Sequence, residues 1–103
     1  MKRPTSISIK LASKRFGEHV ATSRRLQEMT SQELAGRANI SRATLSRLEK
    51  GDPSVGFEAV LGVCRVLGAL DVLVDSIDPY ETDLGRARAD WLLPQRVRHK
   101  RAC

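Results

Sequence analysis

The sequence predicts an all-α fold, a bundle of four to five short helices followed by a short β-strand. Apolar residues recur at three- to four-residue steps from about residue 7 to residue 67, which is the period of amphipathic helices. Residues that favour helix ends stand between these runs. Aromatic residues make up only 4% of the 103 residues, so the core must consist mainly of Leu, Val, Ile and Ala. A chain of this length accommodates one domain with appendages.

The first helical run begins at about Ile7, and Gly17 is a weak point that allows a short helix followed by a longer one. We assign residues 1–9 to a flexible N-terminal arm and residues 10–77 to the folded domain. Residues 78–103 show no long period, and we expect them to form a C-terminal tail.

The stretch TSQELAGRANISRATLSRLEKG predicts two short helices joined by a tight turn. Thr30 and Glu33 have the spacing of a capping box, which places the start of the first helix. Asn39 can end that helix because Asn tolerates a left-handed backbone. Ser41 is the expected N-cap of the next helix, and Gly51 is its expected stop.

A fourth helix is predicted from Ser54, its expected N-cap, to Gly68. The following segment, LDVLVDSI, places Leu70, Val72 and Val74 at alternating positions, which is a strand pattern. A lone strand leaves its backbone donors and acceptors unpaired. We therefore expect the same strand of a second chain beside it, in a homodimer. The alternative is a fifth short helix.

Charge is concentrated in three blocks along the chain. The net charge is +7 over residues 1–50, −6 over residues 51–85 and +5 over residues 86–103, which gives +6 for the whole chain. A basic first half favours a polyanionic partner such as nucleic acid, although ordinary solvated surface has the same composition.

Several classes of protein are disfavoured. No run of 18 apolar residues is present, and the first residues, MKRPTSISIKLASKR, lack the apolar centre of a signal peptide, so we expect a cytoplasmic protein without membrane contact. Cys64 and Cys103 do not make a disulfide framework. His19 and His99 have no partners at metal-ligand spacing, so we expect no metal and no cofactor. An enzyme is a poor interpretation, since no catalytic set or Gly-rich phosphate loop is evident.

Two short helices with a tight turn, inside a small bundle, have the geometry of a helix-turn-helix. In that motif the second helix enters the major groove of DNA and presents small or polar side chains to the bases. The matching side chains of the second helix are Ser41, Arg42, Ala43, Ser46 and Arg47.

Three segments carry a family resemblance: FGEHVATSR, TSQELAGRANISRATLSRLEKG and PSVGFEAVLGVCRVLGAL. Over about residues 16–68 the sequence resembles the Cro/phage-repressor (XRE-type) helix-turn-helix family. The resemblance implies a lambda-repressor-like bundle and a sequence-specific repressor that binds a palindromic operator as a dimer. It also implies a structural ion pair between Arg24 and Glu49. The family has a phosphate-binding Gln at the start of the first helix of the pair, where this sequence has Ser31 followed by Gln32, and we expect these two residues to contact phosphate.

The resemblance also implies a role for each exposed position of the third helix. Arg42 is expected to make a bidentate contact to a guanine, and Ala43 to contact a thymine methyl group. Ser46 and Arg47 are expected to reach the next bases or a phosphate. Further phosphate contacts are expected from Ser41 and Thr44. The alternative is that Arg42 and Arg47 are only solvated.

A narrower resemblance concerns the C-terminal part. A strand after the fourth helix, followed by a tail with a Trp, resembles HipB-type antitoxins, in which the tail engages a HipA-type kinase toxin. It implies that Trp91 and Leu92 bind a partner, whereas the alternative is that they pack on the protein's own surface. The basic end, with Arg96, Arg98, Lys100 and Arg101, could contact phosphates or remain solvated. A stand-alone regulator and a protein-interaction module with weak DNA binding are the other functional alternatives.

Overall fold

The computed structural model describes residues 3–92, and over these residues it contains six α-helices, one short 3₁₀ helix and no strand. The chain divides into two compact units, Met1–Leu70 and Asp71–Cys103. The α-helices are α1 (Ile7–Leu26), α2 (Ser31–Ala38), α3 (Arg42–Glu49), α4 (Phe57–Leu67), α5 (Leu70–Asp75) and α6 (Asp83–Leu92), and the 3₁₀ helix is Pro79–Glu81. The prediction of an all-α fold is confirmed for this part of the chain.

A capping box starts α2 at the predicted position. The Glu33 N–H donates to Thr30 Oγ1 at 3.0 Å, and the Thr30 N–H donates to Glu33 Oε1 at 2.9 Å. The bond from the Thr30 N–H is the largest cause that holds the pKa of Glu33 below its ordinary range. Two donors at the start of the helix are thereby satisfied without any tertiary contact.

The turn between α2 and α3 is also set by local chemistry. Asn39 has a φ of 59° and a ψ of 43°, the left-handed conformation that ends a helix within one residue. The Ser41 side chain then caps α3 by accepting the Thr44 N–H at 3.0 Å. These predicted helix ends are confirmed, and together they fix the direction in which α3 leaves α2.

The core of the first unit is built where α2, α3 and α4 meet. Leu34, Leu45 and Val63 come from these three helices in turn and are fully buried. Full burial of such a side chain stabilises the fold by about 1.5–3 kcal/mol. Val20 of α1 and Leu48 of α3 belong to the same buried cluster, which thus includes residues of α1 as well.

The first helix is continuous through Gly17, which is a close-packing point and not a break between two helices. A Cβ at Gly17 would clash with the backbone oxygen of Leu48 and would lie 2.6 Å from the backbone oxygen of Glu49. Glycine therefore lets α1 approach the end of α3. The helix begins at Ile7 with Ser6 as its N-cap, so residues 7–9, which the sequence analysis assigns to the arm, are helical.

The predicted strand is wrong: Leu70, Val72 and Val74 lie in helix α5. Leu70 and Leu73, three residues apart, are half-buried, whereas Val72 and Val74 are exposed. Alternation over so few residues fits either structure, and a short helix satisfies its own backbone groups where a strand needs a neighbour. Strand pairing across a dimer therefore has no basis in this structure.

Two further helix boundaries differ from the prediction. Helix α4 begins at Phe57 with Gly56 as its N-cap, so Ser54 does not cap it. The segment that the sequence analysis treats as a tail contains α6 and the 3₁₀ helix before it. Gly85 of α6 lies so close to the Pro79 oxygen that a Cβ there would clash with it. Glycine at this position thus lets these two elements of the second unit pack together.

Candidate nucleic-acid interface

Helix α3 has one buried side and one exposed side. Leu45 and Leu48 are buried, at 0% and 4% exposure, which fixes the rotation of the helix about its axis. The opposite side is open to solvent, and it carries Arg42, Ala43, Ser46, Arg47 and, after the last helical residue, Lys50. All four residues predicted to contact bases therefore share one accessible surface, which we call the α3 face.

The N-terminal end of α3 carries two hydroxyl groups that hydrogen-bond to each other. Ser41 Oγ donates to Thr44 Oγ1 at 2.9 Å while it accepts the Thr44 N–H. The Ser41 hydroxyl is thus occupied by capping, whereas Thr44 keeps its own hydroxyl hydrogen for an outside acceptor. A helix N-terminus also favours a nearby negative charge.

The start of α2 supplies the other two predicted phosphate contacts. Ser31 is the first residue of the helix and is half-buried, and Gln32 is exposed. The longer and more accessible side chain therefore belongs to Gln32. Their contact with phosphate stays a prediction.

Arg24 and Glu49 form an ion pair between α1 and the end of α3. Arg24 Nε lies 2.9 Å from Glu49 Oε2, and Arg24 Nη2 lies 3.3 Å from Glu49 Oε1, which makes a bidentate contact. Arg24 Nη1 also donates to the Met29 carbonyl at 3.1 Å. The two side chains are only 12% and 13% exposed. One guanidinium group thus joins α1, the residues before α2 and the end of α3.

Arg47 is not a free cation, and the sequence pattern did not predict its contacts. Its Nε lies 2.9 Å from Asp52 Oδ2, and its Nη2 donates to Ser54 Oγ at 2.8 Å. Asp52 Oδ1 in turn accepts the Ser54 N–H at 2.8 Å and the Ser54 hydroxyl at 2.6 Å. We call these three residues the Arg47 cluster.

The Arg47 cluster keeps Asp52 ionised. The Ser54 hydroxyl and then the Ser54 N–H are the largest causes that hold the pKa of Asp52 far below its ordinary range, and Arg47 adds to them. The sequence signal for this cluster is GDPS, in which an Asp side chain can bond to the backbone two residues on.

The remaining predicted residues lie in the second unit or outside the described part of the chain. Trp91 and Leu92 end α6, with exposed fractions of 71% and 55%. The basic side chains from Arg96 to Arg101, like Cys103 and His99, lie outside the described residues. Cys64 is buried, and this burial raises the pKa of its thiol.

Residues 3–92 hold no group of three or more His, Cys, Asp or Glu side chains arranged for a metal ion. None of the helices within these residues is both long and apolar enough to cross a membrane.

Two short helices, a left-handed turn and an exposed polar face on the second helix define a helix-turn-helix. A protein-family model described as "Helix-turn-helix domain" matches residues 15–77, more than half of the chain. The chain therefore belongs to the helix-turn-helix domain family, of the XRE/Cro type, which confirms that part of the prediction. Membership of this family indicates that the chain is a DNA-binding regulator. Searches of curated proteins and of solved structures found no significant match.

Proposed function

We propose that this chain is a sequence-specific transcriptional repressor that binds a palindromic operator as a homodimer. The observation that carries the proposal is the α3 face, whose polar side chains have no role in the core while Leu45 and Leu48 bury the opposite side. The family match over residues 15–77 supports the same interpretation.

In the proposed complex, α3 lies in the major groove, which is about 12 Å wide and admits one α-helix. Arg42, at the N-terminal end of the helix, makes a bidentate contact to a guanine, and Ala43 contacts a thymine methyl group. Ser46 and Arg47 read the adjacent base pairs. Phosphates are held on either side by Thr44 and by Gln32 and Ser31, whereas the Ser41 hydroxyl stays occupied as the cap of α3.

The ion pair between Arg24 and Glu49 has a positioning role in this proposal. It links the end of α3 to α1, so the packing of the bundle determines the angle at which α3 lies in the groove. An error of about an ångström at the helix end would move the side chains on α3 out of hydrogen-bonding distance.

The homodimer is proposed because a palindrome needs two copies of α3 about 34–36 Å apart. Exposed apolar side chains support the existence of a protein contact surface, and on and after α5 these are Val72, Val74 and Ile77. Because residues 70–75 form helix α5, the proposed dimer contact is between helices and replaces the predicted strand pairing. Sedimentation of the full chain should then give a dimer at the concentrations used for DNA binding.

A gel shift tests the DNA-binding proposal. The chain is mixed with the DNA upstream of its own gene and with a scrambled duplex of equal length, at two salt concentrations. We expect a specific shift that weakens steeply with salt, because phosphate contacts release counterions. Absence of any shift at low salt would contradict the proposal and favour a protein-interaction module instead.

An antitoxin role is the second candidate, and the exposure of Trp91 and Leu92 favours it over their packing on the protein's own surface. A large exposed aromatic side chain is typical of an interface anchor. In this proposal the C-terminal part of the chain binds a HipA-type kinase toxin, and the dimer represses the operon of the pair.

The antitoxin proposal is tested with the product of the adjacent gene. We expect a kinase-like protein that co-purifies with the wild-type chain and is lost from Trp91→Ala. Phe57→Ala is the matched control, because Phe57 is an equally exposed aromatic residue of the first unit. If no kinase-like gene is adjacent, or if the adjacent gene product does not co-purify, the chain is a stand-alone regulator. If Trp91→Ala retains the partner, Trp91 is not the anchor of the contact.

A further inference from the structure

The Arg47 cluster holds a cation of the α3 face in one orientation, and this has a consequence for sequence recognition. We propose that Asp52 and Ser54 are positioning residues that make the Arg47 contact selective for bases over phosphates. The inference rests on the proposed function, since it assumes that the α3 face meets DNA.

The geometry leaves one edge of the guanidinium for an outside partner. Arginine has five N–H donors in a planar fork. The edge formed by Nε and Nη2 is spanned by Asp52 Oδ2 at 2.9 Å and Ser54 Oγ at 2.8 Å. The outer edge, with Nη1 and the second hydrogen of Nη2, has no hydrogen bond within residues 3–92. Two parallel donors on that edge match the O6 and N7 acceptors of a guanine.

The cluster is itself held in place by the turn. The Asp52 N–H donates to the Arg47 carbonyl at 3.0 Å, and Asp52 Oδ1 accepts both the N–H and the hydroxyl of Ser54. Gly51, with a φ of 88°, turns the chain so that Asp52 comes back beside the helix. A cation held by this closed set of bonds loses little side-chain freedom on binding DNA.

The carboxylate also lowers the attraction of Arg47 for phosphate. Asp52 repels a phosphate that approaches the guanidinium, because both carry a negative charge. The edge of a base has no net charge, so it is repelled much less. An aspartate is ionised at neutral pH, and the hydrogen bonds of the cluster lower the pKa of Asp52 further, so this effect is present at neutral pH. Arg42 differs, because it has no acidic partner within the described residues. The two arginines of one helix therefore have different tasks: Arg42 adds charge and a base contact, and Arg47 adds selectivity.

Asp52→Asn is the variant that separates these effects. The Asn side-chain oxygen can still accept the Ser54 N–H, so the turn is retained, while its amide nitrogen faces Arg47 Nε donor to donor and releases the guanidinium. The matched control is Asp83→Asn, which removes the same charge from the exposed Arg86–Asp83 pair of the second unit.

The experiment uses the full chain and two duplexes, one selected by the wild-type protein from a random pool and one scrambled. We expect Asp52→Asn to lower the ratio of the two affinities about five- to 150-fold, which is the discrimination of one bidentate contact. Its affinity for the scrambled duplex should rise, with a salt dependence steeper by about one. Asp83→Asn should keep the wild-type ratio, and Ser54→Ala should lower it less than Asp52→Asn does.

A second pair of variants distinguishes positioning from a purely structural role of Asp52. In an Arg47→Ala background, Asp52→Asn should leave the affinity ratio unchanged, because no guanidinium remains to be held. If the ratio falls equally in that background, or if Asp52→Asn alone keeps the wild-type ratio, the inference is overturned. A wild-type chain that selects no sequence at all would instead remove the proposed function, so the two failures are distinguishable.

Discussion

The two units differ in how far their large apolar side chains are buried. In the first unit, Leu34, Leu45 and Val63 are fully buried, although some apolar side chains such as Phe57 remain at the surface. In the described part of the second unit the buried side chain is the small Ala89, and Leu84 and Trp91 are 63% and 71% exposed. The first unit has a core of its own, whereas most large apolar side chains in the described part of the second unit are exposed.

In the function proposed above, this difference separates two tasks within one short chain. A helix that reads DNA must hold its side chains in fixed positions, and a packed core of α2, α3 and α4 provides this rigidity. A surface for a protein partner needs exposed apolar area, which the second unit offers. Changes to matched residues in the two units test this division.

The largest effect is expected from removing a core side chain. Leu45→Ala leaves a cavity behind α3 and should lower the free energy of unfolding by about 2–5 kcal/mol. Leu84→Ala, the same change at an exposed position of the second unit, should alter it by less than about 0.5 kcal/mol. Urea denaturation of both variants measures the difference. Equal losses would show that the second unit has a core of comparable importance.

The next effect is expected from the buried ion pair. Arg24→Ala leaves the carboxylate of Glu49 uncompensated at 13% exposure, and we expect a loss of about 3 kcal/mol in the free energy of unfolding. Arg86→Ala breaks the exposed Arg86–Asp83 pair of the second unit and should have no measurable effect. Chemical denaturation at neutral pH tests the pair, and an unchanged midpoint for Arg24→Ala would argue against its structural role.

A smaller effect is expected where α1 crosses α3. Gly17→Ala places a methyl group against the backbone oxygens of Leu48 and Glu49, which should cost about 1–3 kcal/mol. Gly36→Ala, in the exposed interior of α2, meets nothing within 4 Å and should stabilise the chain by about 0.4–1 kcal/mol. Thermal unfolding should shift in opposite directions for the two variants, and a shift of the same sign would contradict the packing described for Gly17.

The smallest effect is a pH dependence from Asp52. Its pKa is lower in the folded protein than the ordinary value of 3.8, so the ionised form stabilises the fold above that pH. The contribution declines as the pH falls below this value towards the folded pKa, because protonation then weakens the bonds to Ser54 and Arg47. Wild type should be more stable than Asp52→Asn at neutral pH, with the difference shrinking in strong acid. A difference independent of pH would contradict this account.

Helix ends were predictable because their chemistry is local. The capping box of Thr30 and Glu33, the left-handed Asn39 and the cap at Ser41 each depend on residues at most three positions apart. The buried side of α3 followed from its periodicity. These features alone are enough to define the helix-turn-helix and the residues that it exposes.

Features that depend on distant or ambiguous contacts were not predictable. Leu70, Val72 and Val74 alternate as in a strand, but Leu73 between them is also apolar, so the pattern of α5 does not distinguish a strand from a short helix. The contact between Arg47 and Asp52 requires the turn at Gly51, and Ser54 was assigned to a helix cap that Gly56 provides instead. The pairing of Arg24 with Glu49 came from the family resemblance, since no local pattern indicates it.

The most direct test of the central claim, that the α3 face reads DNA sequence, is the affinity of Arg42→Ala for a set of operator duplexes. Each duplex carries one base-pair change within a sequence selected by the wild-type protein. We expect Arg42→Ala to lose about 1–3 kcal/mol of binding free energy and to become indifferent to one G·C pair of each half-site, while its preferences at the other pairs remain. Binding by Arg42→Ala that equals wild type at every position would contradict the account.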